Sequence, residues 1–135
     1  LSFLIPMNWK EYKPYIFLSF AAGISEEIIY RGFLIQYLLY LVDDSPNPEF
    51  YAIIIPATVF GISHRYQGWW AVVKITSIAV LLGIIYIYSK SLLIVVIIHI
   101  LIDLISGWAG MLYFKKYPLE SRNDDDHLFR DTDQE

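Results

Sequence analysis

Six ionisable residues of this 135-residue chain stand where solubility does not call for them: Glu26, Glu27, Arg31, His64, His99 and Asp103. Each lies in, or ends, an apolar run. A charge at the centre of a bilayer costs roughly 2.5–3.5 kcal/mol or more, so such groups turn toward one another or toward a wet cavity. They are carboxylates and imidazoles, the side chains that move protons, with one guanidinium to hold a carboxylate. Glu27 and Arg31 are four residues apart, which predicts an ion pair on one helix face. Glu26 sits about 100° round that helix, on a face shared with Tyr30. Phe60 and His64 are also spaced at i,i+4, as are His99 and Asp103.

The elements that must position these groups are apolar. The chain is 56% hydrophobic with a mean hydropathy of +0.46, too much apolar side chain for a soluble domain of this size to hide. Runs of membrane-crossing character extend from Tyr15 to Val42, Phe50 to His64, Trp69 to Tyr88 and Leu92 to Phe114. The second is short and contains Pro56. The expected fold is therefore an all-α, polytopic helical membrane bundle of about four spans, one short or kinked. At about 1.5 Å per residue, Glu26 lies about 17 Å from the start of its run and Asp103 about 17 Å from the end of its own. His99 falls one turn beyond Asp103, and His64 is shallower. The whole set occupies one layer, off-centre toward one face.

Seven of the 14 acidic residues lie between Glu120 and Glu135, so the low pI of 5.3 describes a tail. We expect a helical membrane domain over 1–117, part of a larger bundle since the chain starts without Met in apolar sequence, and a disordered acidic tail over 118–135. No basic stripe is present, which argues against nucleic acid as a partner. Cysteine is absent, which removes disulfides and thiol chemistry. Lys10, Lys13, Arg65, Lys115 and Lys116 fall on one expected side and Asp43, Asp44 and Glu49 on the other, predicting that both termini are cytoplasmic. Trp9, Trp69 and Trp70 lie at that same boundary. Lys74 reads as a snorkelling interfacial cation.

Three segments carry a family resemblance: Glu26-Glu27-Ile28-Ile29-Tyr30-Arg31-Gly32, Phe60-Gly61-Ile62-Ser63-His64 and His99-Ile100-Leu101-Ile102-Asp103. In this order on successive apolar runs they resemble the EExxxR(G), FxxxH and HxxxN/D motifs of the CPBP intramembrane proteases, which include type II CAAX prenyl endopeptidases and Abi bacteriocin-immunity proteins. The resemblance covers roughly residues 15–110. It implies an intramembrane glutamic endopeptidase in a bacterial cytoplasmic membrane, acting on a peptide or lipidated protein without a cofactor. It further implies Glu26 as the general base, His64 as a holder of the attacking water, His99 and Asp103 as oxyanion stabilisers, and Glu27–Arg31 as a supporting pair that orients the first helix. Relatives often carry Asn where this chain has Asp103. An ionised Asp cannot donate to an oxyanion, so Asp103 is expected either to be protonated or to accept from His99.

Three other readings stand beside this one. Glu26, His64 and His99 supply the donor types of a His₂Glu zinc site, which would make a zinc-dependent version of the same protease. The polar set can equally join helices in a non-catalytic immunity or scaffold protein. A proton or ion pathway would use the same residue types.

Overall fold

The computed structural model describes residues 6–116; the expected acidic tail over 118–135 lies outside them. Among the described residues all regular structure is helical. Helix α1 spans Trp9–Glu27 and runs directly into a π-helical segment, Ile28–Ile35, and then α2, Gln36–Leu41. Helices α3 (Pro48–Ser63), α4 (Trp69–Ser89) and α5 (Leu92–Lys116) follow.

Local chemistry sets the helix ends. α1 begins earlier than hydropathy predicts because Asn8 caps it, its Oδ1 accepting from the Lys10 and Glu11 backbone N–H groups at 2.9 and 3.1 Å. Glu11 reaches back to accept from the Met7 N–H at 2.8 Å, a variant of the capping box. The Asp43–Pro48 stretch separates α2 from α3, and Pro48 takes the first turn of α3, where a missing N–H costs nothing. α3 holds the expected internal proline, Pro56, buried. Gly68 (φ 98°) opens α4 after a single 3₁₀ turn, Arg65–Gln67. Lys90 (φ 52°) closes α4 in the left-handed region.

Two helices, α4 and α5, are long and apolar enough to cross a membrane, with peak mean hydropathies of 2.1 and 2.4. Only 22% of each apolar window is buried, unlike the core helix of a soluble protein. Of the four spans expected, α3 is a shorter apolar helix. The first run is divided by the π segment and interrupted by its own charges.

The chain forms two compact units. One joins the start of α1, through Phe17, with α5 from Asp103 onward. There Tyr12 and Tyr15 donate their hydroxyls to the backbone carbonyls of Leu104 (2.9 Å) and Asp103 (3.1 Å), and the Tyr15 ring lies against Gly107. The other unit, 18–102, contains the remaining motif residues. Its core is built from Ile35, Leu38 and Ala52 at one level, and from Ala57, Phe60 and Ala79 at another, with Tyr30 packed against the second group.

Two glycines permit close helix approach in this unit. A Cβ on Gly23 would lie 2.6 Å from Ile100 Cγ1, so α1 meets α5 one turn before Glu27 and beside His99. A Cβ on Gly61 would fall onto Thr76 Oγ1 and lie 3.1 Å from the Val72 carbonyl oxygen, so α3 meets α4 one turn before His64. Overpacking a close contact of this kind costs about 1–3 kcal/mol. Gly23→Leu is expected to lower the unfolding free energy of the detergent-solubilised protein by that amount and Gly23→Ala by less, read by denaturant titration.

Candidate functional site

Arg31 lies on the π segment and is 2% exposed. Its Nη1 donates to Glu27 Oε1 at 2.7 Å, the pair predicted from spacing. Its Nη2 donates to the Ala79 carbonyl of α4 at 3.0 Å, and the guanidinium lies 5.5 Å from the centre of the Phe60 ring on α3. One side chain thus ties three segments together with charge-assisted hydrogen bonds and a cation–π contact. A π-helical turn inside an α-helix is rare and concentrates at functional sites. Here it begins immediately after Glu27 and carries Arg31.

Glu27 is fully buried. Its Oε1 accepts a second hydrogen bond, from His99 Nδ1 of α5 at 2.6 Å, while its Oε2 has no hydrogen-bond partner. Because Arg31 already donates to Oε1, that oxygen acts as an acceptor, and the proton of the contact belongs to His99 Nδ1. The other ring nitrogen, Nε2, lies 3.7 Å from Glu26 Oε2. That separation is too long for a direct hydrogen bond. It does let both atoms reach a third atom lying to one side at about 2.8 Å from each. The Glu26 side chain is 28% exposed, against 9% for His99, so Glu26 forms the open edge of the cluster.

His64 follows α3 directly. Its Nδ1 lies 2.8 Å from the Phe60 carbonyl oxygen, which can only accept, so Nδ1 carries the proton and Nε2 is left as an acceptor. Its ring packs 4.6 Å from the Phe60 ring, centre to centre. The opposite neighbour of Phe60 is His99, edge-on at 6.2 Å, and Tyr30 meets the same ring at 4.8 Å. Glu26, Glu27, Arg31 and His99 are therefore joined by direct polar approach, and His64 is linked to them through Phe60. Asp103 belongs to the other compact unit. The spacing of Glu27 and Arg31 gave their pair away; the Glu27–His99 contact, between residues 72 apart, had no local signal. Among the described residues no three His, Cys, Asp or Glu side chains are gathered as a metal would need. His64, His99 and Glu26 thus do not form the zinc set considered from sequence.

The site is a buried guanidinium–carboxylate–imidazole chain with a second carboxylate at its exposed edge. The family model described as "Type II CAAX prenyl endopeptidase Rce1-like" matches residues 8–105. The chain belongs to that family, a family of membrane-embedded proteases. No curated protein and no solved structure matches significantly.

Breaking one partner of a buried ion pair leaves the other charge uncompensated, at about 3–5 kcal/mol. Arg31→Leu is expected to lose that much unfolding free energy. Arg31→Lys should lose less, since a lysine keeps the charge and forfeits the fork that reaches Glu27 and Ala79 together. Chemical unfolding in detergent reads both.

Proposed function

We propose that the protein is an intramembrane endopeptidase that hydrolyses a peptide bond with water activated by Glu26. The observation that carries this reading is the 3.7 Å approach of Glu26 Oε2 to His99 Nε2, in a chain of the CAAX endopeptidase family. A water hydrogen-bonded to Glu26 gives its proton to that carboxylate as its oxygen adds to the scissile carbonyl carbon. The carbonyl π electrons move onto oxygen, forming a tetrahedral oxyanion. His99 Nε2, when protonated, donates to that oxyanion; preorganised donation of this kind lowers barriers by a few kcal/mol. The oxyanion then re-forms the carbonyl, the C–N bond breaks, and the leaving amine takes back the proton that Glu26 holds.

In this reading His64 holds the water through Nε2, the nitrogen left as an acceptor by the Phe60 carbonyl. Asp103, one helical turn after His99 in sequence, is assigned with it to the oxyanion by the family resemblance. The substrate is a membrane-associated peptide or lipidated protein, and the membrane is a bacterial cytoplasmic membrane with both termini inside.

A non-catalytic helix-joining role also has an observation behind it, the Arg31 bridge to Glu27 and Ala79. The two readings part at Glu26, whose removal should spare the fold if its role is chemical. The test is hydrolysis of prenylated and unmodified CAAX-terminated peptides by the protein in liposomes, read by mass spectrometry. Glu26→Gln is expected to lower turnover at least 10²-fold and His64→Ala 10-fold or more, with unfolding midpoints close to wild type and no change on adding a chelator. Undiminished hydrolysis by Glu26→Gln overturns the proposal.

A further inference from the structure

Spacing pairs Glu27 with Arg31, and the family resemblance implies that the pair orients the first helix. The geometry gives Glu27 a second partner. Both donors, Arg31 Nη1 and His99 Nδ1, converge on the same oxygen at 2.7 and 2.6 Å, and no exposed surface is left on Glu27 to dilute the contact with water. An imidazole has two nitrogens, and the hydrogen bond made by one decides what the other presents. Here Nδ1–H is committed to a buried acceptor, so Nε2 is the atom turned to Glu26. Arg31 makes the commitment firm, because its guanidinium, anchored through Nη2 to the Ala79 carbonyl of α4, holds Oε1 through Nη1.

We infer that Glu27 is a positioning residue for His99: by accepting its Nδ1–H it keeps that nitrogen protonated and fixes the ring orientation that aims Nε2 at Glu26, where a proton taken up on Nε2 makes the imidazolium the oxyanion donor, over and above its pairing with Arg31. This rests on the peptidase reading of Glu26 and His99, and the contact itself exists independently of that reading. The groups that approach His99 are Glu26 and Glu27 of α1, with Arg31 of the π segment sharing Glu27 Oε1, and Phe60 of α3 edge-on to the ring. Of the two carboxylates, Glu27 makes the short contact.

Two variants separate positioning from pairing. In Glu27→Gln the amide oxygen can replace Oε1 as acceptor for both donors. Arg31 leaves the amide one favourable orientation, since the flipped form would aim its NH₂ at the guanidinium, and that NH₂ then occupies the place of the unpartnered Oε2. The doubly substituted Glu27→Leu/Arg31→Leu protein replaces the ion pair by apolar side chains, a change that is often neutral for folding, and it removes the acceptor for His99.

The experiment measures kcat and KM for CAAX-peptide hydrolysis by wild type and both variants in liposomes. In parallel, ¹⁵N-histidine NMR of the detergent-solubilised proteins reads the His99 tautomer. The inference predicts less than tenfold loss of kcat in Glu27→Gln and about 10²-fold loss in the double variant with KM little changed, as for a misplaced catalytic group. It predicts a protonated Nδ1 on His99, as the Nδ1–H tautomer or the imidazolium, in wild type and Glu27→Gln, and loss of that preference in the double variant. Near-wild-type kcat in the folded double variant, or unchanged Nδ1 protonation of His99 there, overturns the inference. An inactive wild type overturns the peptidase reading instead, and the NMR result then decides the Glu27–His99 contact on its own. A double variant that fails to fold leaves Glu27→Gln to decide: an Nε2–H tautomer in it contradicts the inference, and a protonated Nδ1 supports it.

Discussion

A carboxylate sealed from water inside a bundle of apolar helices has to be compensated by its neighbours, and at Glu27 that requirement organises everything around it. The side chain is completely buried, so the Born cost of its charge falls on two donors, the Arg31 guanidinium and the His99 imidazole. Each donor arrives with obligations of its own. Arg31 must satisfy a second arm, which draws in the Ala79 carbonyl of α4, and must cover its face, which it does with Phe60 of α3. His99 brings α5. A single buried oxygen is thereby the meeting point of α1, the π segment, α4 and α5, and its demand for donors reduces the number of arrangements the helices can adopt.

Packing makes that chemistry reachable. The 2.6 Å bond from His99 to Glu27 joins α5 to α1 where their backbones approach closely. The glycine of α1 nearest to Glu27 is the one pressed on Ile100, the residue after His99. Small residues at helix crossings are a general device where lipid offers no hydrophobic drive to bring helices together. Phe60 plays the complementary part: its ring contacts both His64 and His99 and meets Tyr30 edge-on.

Much of this organisation was legible in the sequence, for identifiable reasons. Polar, proline and glycine punctuation at Asp43–Pro48, Gln67-Gly68 and Ser89-Lys90-Ser91 marks helix ends through backbone chemistry that acts locally, and α3, α4 and α5 fall between those marks. The short, proline-containing second run is such a helix. α1 starts six residues before the apolar run, because hydropathy does not register the Asn8–Glu11 cap. The π segment carries no residue pattern that periodicity would detect. At the site, the Glu27–Arg31 pair follows from i,i+4 geometry, while the Glu27–His99 bond joins helices far apart in sequence and depends on how they cross. Local spacing and the HxxxD resemblance point from His99 to Asp103, one turn along its own helix, and carry no sign of Glu27. The role of the Phe60 carbonyl in setting the His64 tautomer was hidden for a related reason: a backbone acceptor leaves no mark in residue type.

The account turns on Glu27 and His99 being energetically coupled inside the folded protein, and a double-mutant cycle on unfolding free energy measures that coupling without reference to any substrate. Glu27→Gln, His99→Phe and the combined variant would be unfolded by denaturant in the same detergent. A hydrogen bond to a charged group is worth about 1.5–3 kcal/mol, part of which Gln retains, so a coupling of about 1 kcal/mol or more is predicted. Additivity within about 0.5 kcal/mol, the behaviour of independent sites, would contradict it.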